Sequence, residues 1–271
     1  MKLSPLAPFG AEITGFDCAA DMVDHAALAR LIAEHRVVVV RDQHGDDQAF
    51  VRFLGGFGPL VFTQGEVPVE GAPLLNIVSN VGRTTPPVSR FHTDSSYFTS
   101  PPSFTALRPV LLPAQGGATL FSDQVHAASD LPERWLACLS GRKVLHRCTG
   151  LDGIDDQSWH PLLRRHPLTG ETALYLSTPA RCIAIEGIAT EPARRIIEIL
   201  YRRSQRASQL YRHLWQPGDL LIWDNRVTMH RAEHDGVESP RVLHRGMVAG
   251  DVPMAALQHI ADQDIDRAFM R

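Results

Sequence analysis

Phe91-His92-Thr93-Asp94 and Trp223-Asp224-Asn225-Arg226-Val227-Thr228-Met229-His230 are the two stretches whose reading decides the fold. On a β-strand, residues two apart point to the same face. Placed on a strand, His92 and Asp94 project an imidazole beside a carboxylate. His230 offers a third donor from far along the chain. Two histidines and one carboxylate on one side of a metal, with the opposite positions open, is the donor set of non-haem Fe(II) centres. The same set also suits zinc. A fold that serves this reading must bring distant strands to one mouth.

The segments outward from these stretches are mostly short strand candidates. Glu12–Phe16, Leu74–Ser79, Phe104–Pro113, Ala118–Ser122 and Lys143–Cys148 are such runs, as are Thr172–Ser177 and Arg181–Ile185. Residues 211–215, 218–224, 227–232 and 241–249 continue the series. Val37–Val40 is β-branched throughout, which suits a buried strand. His25–His35 has helical apolar spacing, and Asp46-Asp47 reads as a helix start. Leu131–Leu139 and Glu191–Gln209 read as helices, the second with arginines outward. Residues 82–89, with Pro86-Pro87, form a loop over the site. Residues 150–159 read as a mobile lid, and the last twenty residues as a helical tail. Many short strands with inserted helices predict a mainly β fold with a double-stranded β-helix, or jelly-roll, core. No repeat, low-complexity tract or linker divides residues 1–271, so a single domain is expected.

Composition excludes several classes. Net charge is −3, which does not suit a nucleic-acid surface. The apolar runs are too short to span a membrane. Cys18, Cys138, Cys148 and Cys182 are scattered, with no metal or disulfide spacing. Met1–Gly10 lacks the apolar stretch of a signal peptide. The expectation is a cytoplasmic protein. A homo-oligomer is neither required nor excluded.

Three further residues stand at telling distances from the candidate donors. Thr119 follows Gly116-Gly117-Ala118, while Arg241 and Arg245 follow His230. A short hairpin through Gly236 would return an arginine to the metal. A guanidinium there can bind a carboxylate through two parallel hydrogen bonds. Strand alternation sends Arg241 and Arg245 to the same face. An unpaired buried guanidinium is costly, so the second arginine calls for a second anion, unless an acidic neighbour neutralises it internally.

On Phe91–Ser96, Gly116–Thr119, Trp215–His230 and Arg241–Arg245, in that order, the chain resembles the Fe(II)/2-oxoglutarate-dependent dioxygenases typified by taurine dioxygenase and 2,4-dichlorophenoxyacetate dioxygenase. The similarity runs from about residue 10 to 252. It implies the jelly-roll core and iron ligation by His92, Asp94 and His230. It implies 2-oxoglutarate binding by Thr119 and Arg241, with Arg245 near the acidic group of a small anionic substrate. It also implies consumption of O2, with succinate and CO2 released as a substrate C–H bond is oxidised. Thr63 stands where taurine-specific members carry a sulfonate-binding histidine, and Val88 where they carry a substrate asparagine. Ser95 belongs to a segment closer to the aryloxyalkanoate members. Ser95, Thr63, Val88 and Arg90 complete the candidate substrate contacts. A carboxylate at Asp94 argues against a halogenase. A non-catalytic jelly-roll binder and a zinc hydrolase remain as rival classes. His126, His146, His160, His166, His213 and His244 read as packing or surface histidines.

Overall fold

Val37–Val40 is buried along its whole length because it has protein on both faces. Val38 and Val40 pack with Leu28, Ile32, Phe50 and Leu54 of two helices. Val37 and Val39 point the other way, into a core shared with Phe121, Tyr211, Trp223 and Leu243. Alternation along one β-branched run thus divides the molecule into layers. The two helices are His25–His35 and Asp47–Gly55, capped by the carboxylates of Asp24 and Asp46. Each carboxylate accepts an otherwise unpaired N–H of the first turn.

The computed structural model describes residues 1–20, 22–63, 65–81, 89–150, 153–234, 237, 239–256 and 269. A nine-stranded sheet carries, in spatial order, Lys2–Pro5, Ala11–Thr14, Val37–Val40, Leu220–Asp224, Phe104–Leu111, Val242–Val248, Ala72–Ser79 and Pro68–Val69, with Leu60–Val61 pairing Val242–Val248 off this path. Facing it is a three-stranded sheet with Thr119–Asp123 between Leu210–His213 and Thr228–Ala232. These two sheets are the walls of the jelly roll. A further core lies outside them, around the helix Thr190–Arg203.

Several expectations change. Phe91–Asp94 is not a strand: His92 forms a single bridge with His230, and Asp94 opens a turn closed by Phe98 N–H donating to Ser95 O. No hairpin joins Thr228–Ala232 to Val242–Val248; they belong to different sheets, so the connection crosses between the walls. Gln157–Pro161, which takes in the last three residues of the expected lid, is a strand paired with Lys143–Arg147. The helix after Glu191 ends at Arg203 because Leu210–His213 must pair with Thr119–Asp123. The strand from Phe104 ends at Leu111. Residues 82–88, with Val88, and all of the expected tail after residue 256 except residue 269 lie outside the described residues. No helix among the described residues is long and apolar enough to cross a membrane.

Candidate metal centre

The bridge between His92 and His230 sets the site. Each residue's N–H donates to the other's carbonyl, at 3.0 and 2.9 Å, so the two imidazoles stand side by side with centroids 4.3 Å apart. Asp94 comes between them from the following turn. Its Oδ1 lies 3.7 Å from His92 Nε2 and its Oδ2 3.8 Å from His230 Nε2. One donor atom from each residue falls within 4.8 Å of the others, a spacing that can hold a metal ion.

Each donor is prepared electrically. His92 Nδ1 donates to the Arg90 carbonyl at 2.9 Å, which fixes the ring with Nε2 toward Asp94. Burial brings the His230 imidazole down to about 3 despite the neighbouring Asp94, which keeps it neutral, the ligating form. Its Nδ1 is buried without a hydrogen-bond partner among the described residues. Burial alone would raise the Asp94 carboxyl, but His230, Arg245 and His92 hold it well below the usual carboxylate range.

The string Trp223–His230 has a task at nearly every position. Trp223 packs on the His230 ring at 4.5 Å. Its indole N–H donates to Asn225 Oδ1 at 3.0 Å, and Asn225 Nδ2 donates to Thr105 Oγ1 at 2.6 Å. Thr105 then donates to Asp94 Oδ2 at 2.9 Å. Asp224 is fully buried between Arg226 and His166, at 2.5 and 2.9 Å. Thr228 caps the same turn by donating to Asp224 O at 2.7 Å.

A cavity of about 590 Å³, including space open to solvent, has His92, Thr119, His230, Arg241 and Arg245 in its wall. Arg241 is 2% exposed. Its Nε donates to Gly117 O at 2.9 Å and its Nη2 to Thr119 Oγ1 at 3.3 Å. Thr119 Oγ1 also accepts from the Trp215 indole at 3.1 Å. Among the described residues no carboxylate pairs with Arg241, and burial pulls its guanidinium down to about 10. A buried cation with N–H groups to spare is a built seat for an anion.

Arg245 differs. Its Nη1 lies 3.4 Å from Asp94 Oδ1 and its Nη2 3.6 Å from Glu66 Oε1. The alternative of internal neutralisation therefore describes it, and the second-anion argument from an unpaired charge does not apply. Thr63 and Ser95 are buried with hydroxyls 3.5 Å apart. Arg90 is exposed and contributes its carbonyl. Sequence reasoning missed Thr105 and Glu66, for which no motif or spacing exists. Asn225 was legible in its string, but as a turn former. His146, His160, His166 and His213 are buried packing residues.

The model of the taurine catabolism dioxygenase TauD, TfdA family matches residues 2–247. The chain belongs to this family. It is thereby a 2-oxoglutarate-dependent dioxygenase. An alpha-ketoglutarate-dependent sulfate ester dioxygenase of Pseudomonas putida is 29% identical over 270 residues, covering 90% of this chain and 88% of that one. The alpha-ketoglutarate-dependent 2,4-dichlorophenoxyacetate dioxygenase of Cupriavidus pinatubonensis is 28% identical over 282 residues, covering 92% and 96%. A taurine dioxygenase of Burkholderia xenovorans, solved as a crystal structure, superposes with a TM-score of 0.83 at 29% identity, covering 100% of this chain and 99% of that one. TauD/TfdA members thus share the jelly roll described above.

Proposed function

We propose that this TauD/TfdA member uses Fe(II), 2-oxoglutarate and O2 to oxidise, by hydroxylation, a C–H bond of a small organic anion, with release of succinate and CO2. The observation that carries the proposal is a two-histidine, one-carboxylate cluster, with Asp94 and His230 buried and His92 half-buried, beside a buried arginine that has no carboxylate partner among the described residues. His92, Asp94 and His230 would hold the iron, and the residues present fit it: two imidazoles and a carboxylate on one side. Fe(II), when bound there, supplies the redox chemistry that couples O2 to cosubstrate decarboxylation and substrate oxidation.

The other groups position and exclude. Arg241, with Thr119, would take the distal carboxylate of 2-oxoglutarate through N–H groups not given to Gly117 O. Thr105 holds one Asp94 oxygen, so the carboxylate presents itself in one orientation. Trp223 and Leu107 wall the cavity against water. Arg245, beside Asp94, would hold the acid group of the substrate near the metal. Ser95 and Thr63 offer hydroxyls behind it, while Arg90 lies at the surface. The relatives' named substrates, a sulfate ester and 2,4-dichlorophenoxyacetate, each bear an acid group and support this class. We read residues 1–271 as one domain of a cytoplasmic protein. The family match over residues 2–247 and four buried free thiols support that reading.

An anaerobic titration with Fe(II) and 2-oxoglutarate tests the proposal. A visible charge-transfer band is expected, and neither a zinc hydrolase nor an inert binder would give it. A succinate-release screen over small sulfonates, aryloxy acids, amino acids and sulfate esters then identifies the substrate. No band and no succinate would reject the proposal.

A further inference from the structure

Thr119 Oγ1 is met by two N–H donors. The Trp215 indole donates to it at 3.1 Å and Arg241 Nη2 at 3.3 Å. A hydroxyl oxygen has two lone pairs and one proton. Both lone pairs are therefore taken, and among the described residues no acceptor takes the proton. Thr119 is buried and stands in the wall of the metal-site cavity, so its O–H is left as a donor with the cavity as its outlet. Trp215 is not among the described residues lining that cavity and acts from behind Thr119. The indole is held in turn. Its ring lies edge-on to His213, with centroids 4.7 Å apart and planes at 84°. His213 is itself pinned, Nε2 2.9 Å from Asp219 Oδ2 and Nδ1 3.2 Å from Tyr211 Oη. Gln216, next in the chain, donates its N–H to the same Asp219 oxygen at 2.8 Å.

We propose that Trp215 is a positioning residue for the cosubstrate: by occupying one lone pair of Thr119 it makes the hydroxyl a fixed donor, so that this end of the cavity selects a group that brings only acceptors, an ionised carboxylate. The inference rests on the reading above in which Thr119 and Arg241 seat 2-oxoglutarate. Arg241 supplies the charge that draws the carboxylate, and Trp215 sets the direction in which Thr119 bonds to it. Without the indole, Thr119 keeps a free lone pair and its O–H can rotate toward other acceptors. The donor then meets the carboxylate only part of the time. The contact weakened is a hydrogen bond to an ionised acceptor, which is stronger than one between neutral groups. The indole touches neither the metal donors nor the cosubstrate, so its effect passes through one oxygen atom.

Anaerobic calorimetric titration of the Fe(II) protein reads the effect as binding. The ligands are 2-oxoglutarate and 2-oxopentanoate, which carries a methyl group in place of the distal carboxylate. Trp215→Phe should weaken 2-oxoglutarate by roughly 3- to 10-fold, the worth of one hydrogen bond, and leave 2-oxopentanoate unchanged. In the Thr119→Val background there is no hydroxyl to aim, so the same substitution should cost less than about twofold. Thr119→Ser keeps the hydroxyl and should keep the dependence on Trp215. Benzothienylalanine at position 215 retains the ring and lacks the N–H; it should act as Phe does, and it replaces Phe if that variant folds poorly. Unchanged 2-oxoglutarate binding without the indole N–H would overturn the proposal. So would a loss that persists undiminished in Thr119→Val, which would have Trp215 act through packing on Arg241, or an equal loss for both ligands. If the wild-type protein binds no 2-oxoglutarate, or Thr119→Val binds it as well as wild type does, the cosubstrate seat falls and this inference with it. A normal charge-transfer band with Trp215-independent binding removes the inference alone.

Discussion

Asp94 is held before any metal arrives. Trp223, Asn225 and Thr105 form a chain of donors in which each group can point only one way, and it ends on Asp94 Oδ2. Outer partners of this kind typically govern metal affinity by about 10- to 100-fold. Thr105→Val keeps the shape and removes the donor, so metal titration should show a loss of roughly that size with the fold intact. Unchanged affinity would make the relay ornamental. Arg241 makes the complementary case. Its charge has no internal partner among the described residues. Arg241→Ala should raise the Michaelis constant for 2-oxoglutarate by roughly 30- to 150-fold, the worth of a charge-assisted double contact. The substrate constant should move far less; equal rises in both would place the anchor elsewhere. At this scale the sequence was most legible: His92, Asp94, His230, Thr119 and Arg241 could be named from motif and spacing. Thr105 and Glu66 could not, because their roles depend only on what stands opposite them.

Two connections do at the level of elements what single residues cannot. The turn from Leu220–Asp224 to Thr228–Ala232 carries the chain from one sheet to the other. Asp224 stiffens it by pairing with Arg226 and His166, all three essentially dry. Removing one member of such a group strands the others without compensation. Asp224→Asn should cost about 3–5 kcal/mol of stability. Urea unfolding of the apoprotein measures it, and a loss under about 1 kcal/mol would contradict the account. The turn before Thr119–Asp123 is the second. Gly117 has φ +73°, and a Cβ there would lie 2.9 Å from Arg241 Cδ. Gly117→Ala should therefore strain the turn by about 1–2 kcal/mol and push Arg241 from its seat. Stability should fall and the 2-oxoglutarate constant rise together. A drop in stability with cosubstrate binding untouched would separate the two effects.

For the whole molecule, buried titratable groups predict how the fold meets acid. His160 is brought down to about 4 by burial, and burial likewise takes His146 well below its ordinary value. Both are neutral in the fold and accept protons near pH 6.5 once unfolded. Their folded values lie below the unfolded ones, so the stability they hold is complete above about pH 6.5 and drains as pH falls toward their folded values. Asp219 and Asp224 add a second stage. Burial would raise both, but His213 and Arg41 hold Asp219 low, and Arg226 and His166 hold Asp224 low. Their contribution is present above about pH 4 and lost below it. Urea midpoints of the apoprotein from pH 8 to 3 should fall first below about pH 6.5 and again below about pH 4. His160→Gln should flatten the first stage by up to about 1.4 kcal/mol per pH unit. An unaltered slope would show that His160 exchanges protons freely in the native state.

The two donor stretches, the β-branched run at Val37 and the helix start at Asp46 were legible in the sequence because they rest on local chemistry. Periodicity, capping carboxylates and short-range spacing need no partner to be read. The jelly roll followed from the density of short strands, and the family resemblance from strings whose residues serve neighbours close in the chain. What only the tertiary structure decided concerns pairs. It put His92 on a lone bridge rather than a strand, and it split the expected hairpin between two sheets. It set Thr105 on Asp94 and Glu66 on Arg245. These outcomes depend on which strands lie opposite one another. Side-chain periodicity of two records the face a residue takes within its strand but carries nothing about the strand across from it.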